Sequence, residues 1–201
     1  MPLVRGSKGP ASGDPAPHRA ALDSPDAESR WTAARALSGD ADAVPALAAT
    51  LGREPVPRVR EAIMTALMRV GNAASVEAIL PYLRSEDAGL RAAAIEALQA
   101  LPEAVAPFMA PLLSDSDSDV RLLATELARN MKASEATRLL CGLIAHEQHP
   151  NVCAAAIDVL TEVGTPQALP ALEKCAARFA GTPFLPFAIS VAIARISGAE
   201  G

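Results

Sequence analysis

One segment returns every 30 to 33 residues along the chain, and this limits the fold more than any other feature. With Arg91 of "DAGLRAAAIEALQAL" as the index, Arg60 lies 31 residues earlier, Arg30 a further 30 earlier, and Arg121 30 later. The frame continues through Cys153 and Pro186, where the arginine is lost but the surrounding pattern holds. The residue before the index is Ser29 in the first copy and Val59, Leu90, Val120, Val152 or Leu185 in the others. Six and seven residues after it come Ala36-Leu37, Ala66-Leu67, Ala97-Leu98, Leu127-Ala128, Val159-Leu160 and Ala192-Ile193. Apolar side chains at this spacing line one face of a helix.

A second apolar stretch separates successive copies: "DAVPALAATL", "SVEAILPYL", "AVAPFMAPLL", "EATRLLCGLI" and "ALPALEKCAARF". Each copy therefore supplies a pair of helices. Pro45, Pro107 and Pro170 suit the first turn of a helix, where a missing N–H costs little. Pro81 and Pro111 fall inside a first helix and should bend it. Gly39, Gly71 and Gly164 sit where a second helix should end. A helix pair cannot bury its own apolar faces, so neighbouring pairs must stack. The period predicts an all-α fold, a right-handed α-solenoid (α/α superhelix) of about six helix pairs over residues 23–201. Composition agrees: half the residues are hydrophobic but only 3% are aromatic, so the core is Ala, Leu, Val and Ile. Residues 1–22, rich in Gly, Pro, Ser and Ala, are expected to form a disordered, mildly basic arm.

The repeat resembles a HEAT repeat, in the short form of phycobilisome-lyase-type HEAT-like proteins. The residues that carry the resemblance are "DAGLRAAAIEAL" from Asp87, "DSDVRLLATEL" from Asp117 and, in part, "DAESRWTAARAL" from Asp26, while Val56 replaces the aspartate before Arg60. The resemblance implies the architecture. It leaves function open, because scaffolds, adaptors and some enzymes share such repeats.

An aspartate four residues before the arginine is placed to cap the second helix. Asp26, Arg30, Arg60, Asp87, Arg91, Asp117 and Arg121 therefore read as a structural ladder, with each aspartate the expected partner of its arginine. By resemblance to HEAT arrays, the second helices line a concave face. Five residues past the index, that face carries Glu96, Glu126 and Asp158, an acidic stripe joined by Glu61. Trp31, Met64, Ile95, Leu122 and Ile157 are expected to add partly exposed apolar contacts. Such a surface suits a basic or amphipathic protein or peptide partner. A purely structural spacer, or a lyase-like or metal-dependent enzyme acting on a partner protein, are the alternatives.

A net charge of −5 argues against nucleic acid, which calls for a basic field. DNA alkylation repair glycosylases resemble this chain in scaffold, but they need a basic groove. No apolar run is long enough for membrane insertion. Three cysteines, an odd number, fit a reducing compartment, so a cytoplasmic location is expected. Cys141, His146, His149 and Cys153 are zinc-compatible types at an unusual spacing, a weak metal candidate. His146-Glu147 resembles one His-Glu pair of deoxyhypusine hydroxylase, which uses four pairs to hold two irons; this chain has three histidines in all. "DSDSD" at 115–119 opens like a calcium loop but has Val120 where that loop needs glycine. No cofactor is expected.

Overall fold

The computed structural model describes residues 15–198, and the chain divides into two compact units, Met1–Val70 and Gly71–Gly201. Both units are all-α, and no strand occurs among the described residues. The first contains α1 (Pro15–Ala21), α2 (Ala27–Ala36), α3 (Val44–Leu51) and α4 (Pro57–Val70). The second contains α5 (Ala73–Ile79), α6 (Ala88–Gln99), α7 (Pro102–Val105), α8 (Met109–Leu113), α9 (Ser118–Ala128), α10 (Ala133–His146), α11 (Pro150–Val163), α12 (Leu169–Arg178) and α13 (Leu185–Ser197). Each unit is a short run of paired helices, with α2, α4, α6, α9, α11 and α13 as the second helices of six pairs.

The first pair corrects the expected arm. Residues 15–21 form α1, which packs on α2, and Leu22 is buried. Arg19 is tied to Asp40 at 2.7 Å. The stretch serves as the first helix of the first repeat, and the rest of the expected arm, 1–14, lies outside the described residues.

Local chemistry explains the helix boundaries. Asp26, Asp87 and Asp117 each accept from a backbone N–H of the following first turn, at 2.8 to 3.1 Å. Pro45 and Pro170 occupy first turns as expected. Pro81 interrupts the first helix of its repeat: α5 stops at Ile79 and the chain continues as a tighter 3-10 segment, Leu80–Arg84. The next first helix breaks into α7, a 3-10 turn at Ala106–Phe108 and α8, with Pro107 in the turn and Pro111 in α8. Gly39 and Gly71 take φ of +87° and +63°, which side chains disfavour. Gly164 ends α11 at an ordinary φ of −65°, and there a Cβ would collide with the Leu160 carbonyl.

Most apolar positions predicted for the stack are buried, while Leu90 and Ile193 are half-buried and Ala36 is exposed. Leu37, Ile63 and Leu67 are inaccessible in the first unit, as are Leu98, Leu127 and Leu160 or nearly so in the second. Within the second unit α11 packs against α9, α10 and α13 at once, so most of its circumference is covered.

Candidate functional site

The arginines of the ladder hold turns, and for Arg30 and Arg121 the ion-pair partner is not the neighbouring aspartate. Arg30 grips Glu54 in a two-point contact, Nε–Oε2 at 2.7 Å and Nη2–Oε1 at 2.8 Å. Arg121 grips Glu147 in the same way, at 2.6 and 3.0 Å. Both glutamates lie six residues before the next index position. Three of the arginines also donate to the carbonyl six residues before themselves: Arg30 to Ser24, Arg91 to Ser85 and Arg121 to Asp115. Cys153, which replaces the arginine, keeps the same bond in weaker form, Sγ to the Glu147 carbonyl at 3.6 Å. Arg178 of α12 then supplies the guanidinium, donating to the Ala145 and Glu147 carbonyls at 2.8 and 3.0 Å. This pattern makes the ladder a device that ties the loops of successive repeats together.

The electrostatics agree with the geometry. The Glu54 carboxyl is held below its ordinary value, chiefly by the Arg30 hydrogen bonds and against burial, with Arg60 contributing. At Glu147 burial pushes upward, but Arg121 and the N–H groups of His149 and Gln148 outweigh it and hold the carboxyl low. The aspartates keep their capping role, and the Asp26 carboxyl is lowered by its hydrogen bonds from Ser29.

The second helices of the second unit present the acidic column to solvent. Glu96 and Asp158 are exposed and Glu126 is half-buried. Sequence reasoning missed the hub of this surface, Arg129 in the turn after α9. Arg129 contacts Glu126 at 3.2 Å, Asp158 at 3.0 Å and Glu162 as well. Its guanidinium is driven upward, first by the Glu162 hydrogen bond. One cation thus braces three carboxylates on α9 and α11, while Glu96 on α6 lies outside that network.

The apolar residues expected beside the acids fall differently. Ile95 and Leu122 are half-buried, but Met64 and Ile157 are only 3% and 1% exposed and belong to the core. The helical period puts them at the edge of the buried stripe, and a second helix flanked by neighbours buries a wider arc than that stripe. In the first unit Glu61 is exposed on α4. Trp31 is half-buried, with the Arg35 and Arg58 guanidinium carbons 4.5 and 4.0 Å from its ring centre, so its ring is already engaged. Exposed apolar side chains collect instead on α13: Phe184, Phe187 and Val191.

The weak metal candidate is dispersed. Cys153 is fully buried, Cys141 half-buried, and His146 and His149 are exposed. Among the described residues no three His, Cys, Asp or Glu side chains are grouped to hold a metal. Cys153 lies against Cys175, and its hydrogen bond with Cys175, then burial, push the Cys153 thiol up. A cleft of about 540 Å³ opens beside the Arg121–Glu147 pair, lined also by Asp115, Arg138, His146 and Gln148. No described helix is long and apolar enough to cross a membrane.

No curated protein matches the chain. Among solved structures, the archaeal HEAT-like repeats protein of Thermococcus onnurineus NA1 is 14% identical, with 93% of this chain and 88% of that one covered and a TM-score of 0.54. The complex of CpcE and CpcF of phycocyanin lyase from Nostoc sp. PCC7120 is 22% identical, with 97% and 80% covered and a TM-score of 0.47. A designed armadillo repeat protein in complex with the peptide (KR)4 is 17% identical, with 90% and 98% covered and a TM-score of 0.46. At these identities the first of them speaks for the fold alone. The family model for HEAT repeats matches residues 16–99 and 105–179, most of the chain, and this protein belongs to the HEAT repeat family.

Proposed function

We propose that this protein is a non-enzymatic adaptor or scaffold that binds a partner protein or peptide through the second helices of residues 71–198. The observation that carries the reading is the solvent-facing column of Glu96, Glu126 and Asp158, with exposed apolar side chains on α13 of the same unit. Charge is segregated in its favour: residues 15–70 carry seven acidic and seven basic side chains, whereas 71–198 carry fourteen and nine. An acidic helical face of this kind selects a basic or amphipathic segment and steers its approach. The finer placement in the short phycobilisome-lyase-type group rests on the 30-residue period and the Asp-x-x-x-Arg motif. A cytoplasmic setting suits the three free thiols.

The test is partner capture with substituted chains. Reversing all three acids would place new cations around Arg129, so the clean variant is Glu96→Lys, which lies outside the Arg129 network. Glu126→Gln and Asp158→Asn then neutralise the rest without adding charge. The expected result is reduced capture in each variant with unchanged helicity by circular dichroism. Unchanged capture in all of them would contradict the acidic-face reading.

A further inference from the structure

Among the described residues three large apolar side chains stand exposed, and all three lie between the N-cap and the middle of α13: Phe184 at 47%, Phe187 at 73% and Val191 at 37%. Phe184 is the N-cap residue, and the spacings of three and four place all of them on one side of the helix, along about 10 Å of its axis. Three exposed apolar side chains aligned on one side of a helix form a stripe suited to contact.

The charges beside the stripe select what covers it. α13 packs on α11, which exposes Asp158 and Glu162, their side chains 67% and 49% accessible. The described part of this unit has an excess of five acidic side chains. A second copy laid face to face would bring these carboxylates together, and an anionic lipid surface would be repelled in the same way. A cationic partner meets no such penalty at α11, and the one cation of α13, Arg195, lies a turn beyond Val191, at the far end of the stripe. Arg129 already fixes Asp158 and Glu162 in place, so little side-chain freedom is lost when a partner arrives.

We propose that the α11–α13 surface docks an amphipathic helix of another protein. Its apolar side chains, at i, i+3 or i+4 and i+7, seat on Phe184, Phe187 and Val191, and Lys or Arg along one flank of that stripe face Asp158 and Glu162. Phe187 is the central anchor, and the mode is that of one apolar helix face laid against another. The inference rests on the protein-binding reading and adds to it the anchor, the partner's secondary structure and the flank that carries its charge.

The probe is a fluorescein-labelled, 18-residue helical peptide with a leucine stripe and lysines beside it, titrated into the full chain and read by anisotropy at two salt concentrations. Two control peptides carry serine for leucine or glutamate for lysine. The wild-type chain is expected to bind the first peptide and neither control. Phe187→Ser with Val191→Ser should weaken binding at least about tenfold, as loss of a central anchor does, while Phe187→Leu retains it. Asp158→Asn with Glu162→Gln should weaken binding and flatten its salt dependence. Absence of binding by the wild-type chain, equal binding of the glutamate peptide, or indifference to the Phe187/Val191 change overturns the proposal. Loss of binding in Glu96→Lys alone, with the α13 variant unaffected, overturns this docking site and leaves the broader acidic-face reading standing. A wild-type dimer by sedimentation that Phe187→Ser with Val191→Ser disperses would assign the stripe to a second copy and overturn the proposal too. Circular dichroism of every variant confirms folding, which the exposure of these side chains favours.

Discussion

Arg121 and Glu147, 26 residues apart, meet in a parallel two-point contact with the guanidinium 17% and the carboxylate 5% accessible. The same arrangement joins Arg30 to Glu54, 24 residues apart. In both, the glutamate also accepts from the backbone just after it: Val56 for Glu54, Gln148 and His149 for Glu147. One carboxylate thus orders its own turn and fastens that turn to the preceding repeat.

Glu147→Gln keeps one oxygen to accept from the Gln148 and His149 N–H groups, but it removes the charge opposite a largely buried guanidinium and turns an NH2 toward it. Glu147→Gln should therefore lower unfolding free energy by about 2 kcal/mol near neutral pH. Because the folded carboxyl lies below its unfolded value, its contribution is fully present above an unfolded pKa of about 4.3 and is lost as pH falls through the folded one. Urea titrations across pH should show wild type and Glu147→Gln converging in acid. A gap that stays constant down to pH 2 would contradict this.

Two glycines of the second unit should respond in opposite directions to alanine. Gly142 lies inside α10, and a Cβ there meets nothing within 4 Å. Gly142→Ala should stabilise by about 0.5–1 kcal/mol, through helix propensity and a less flexible unfolded chain. Gly164→Ala should destabilise, because its Cβ collides with backbone that cannot yield locally. Thermal melts of the two variants give the signs directly.

Trp31 is the single tryptophan, so its fluorescence reports on the Arg35 and Arg58 guanidinium groups against its ring. Arg35→Ala with Arg58→Ala should increase acrylamide quenching and cost only about 1 kcal/mol, the ordinary size of two exposed cation–π contacts. Quenching equal to wild type would mean the guanidinium groups do not cover the ring in solution.

The period and the caps were legible in the sequence because both are local. Asp26, Asp87 and Asp117 act within three residues of themselves, and spacing alone revealed them. The arginines' ion pairs were misread because their acceptors lie on the next repeat, where adjacency gives no hint. A signal did exist: Glu54 and Glu147 occupy the same position relative to their index residues. The sequence of α1, "PAPHRAA", carries too few apolar residues to show a helical period, yet tertiary packing holds it against α2. Arg129 escaped notice because a position used in a single repeat leaves no periodic trace. Phe187 follows its index residue as Trp31, Glu61 and Leu122 follow theirs, a position of mixed chemistry whose exposure the helical period does not decide.

The central claim is that partners meet the second-helix face of residues 71–198. Site-specific photo-crosslinking in native lysate tests it most directly, with the crosslinker at Glu96 or Phe187 on that face and at the exposed Glu77 or Lys174 on first helices. The account predicts protein adducts from positions 96 and 187 that excess basic amphipathic peptide suppresses, and none from 77 and 174. Adducts from 77 and 174 alone would contradict it.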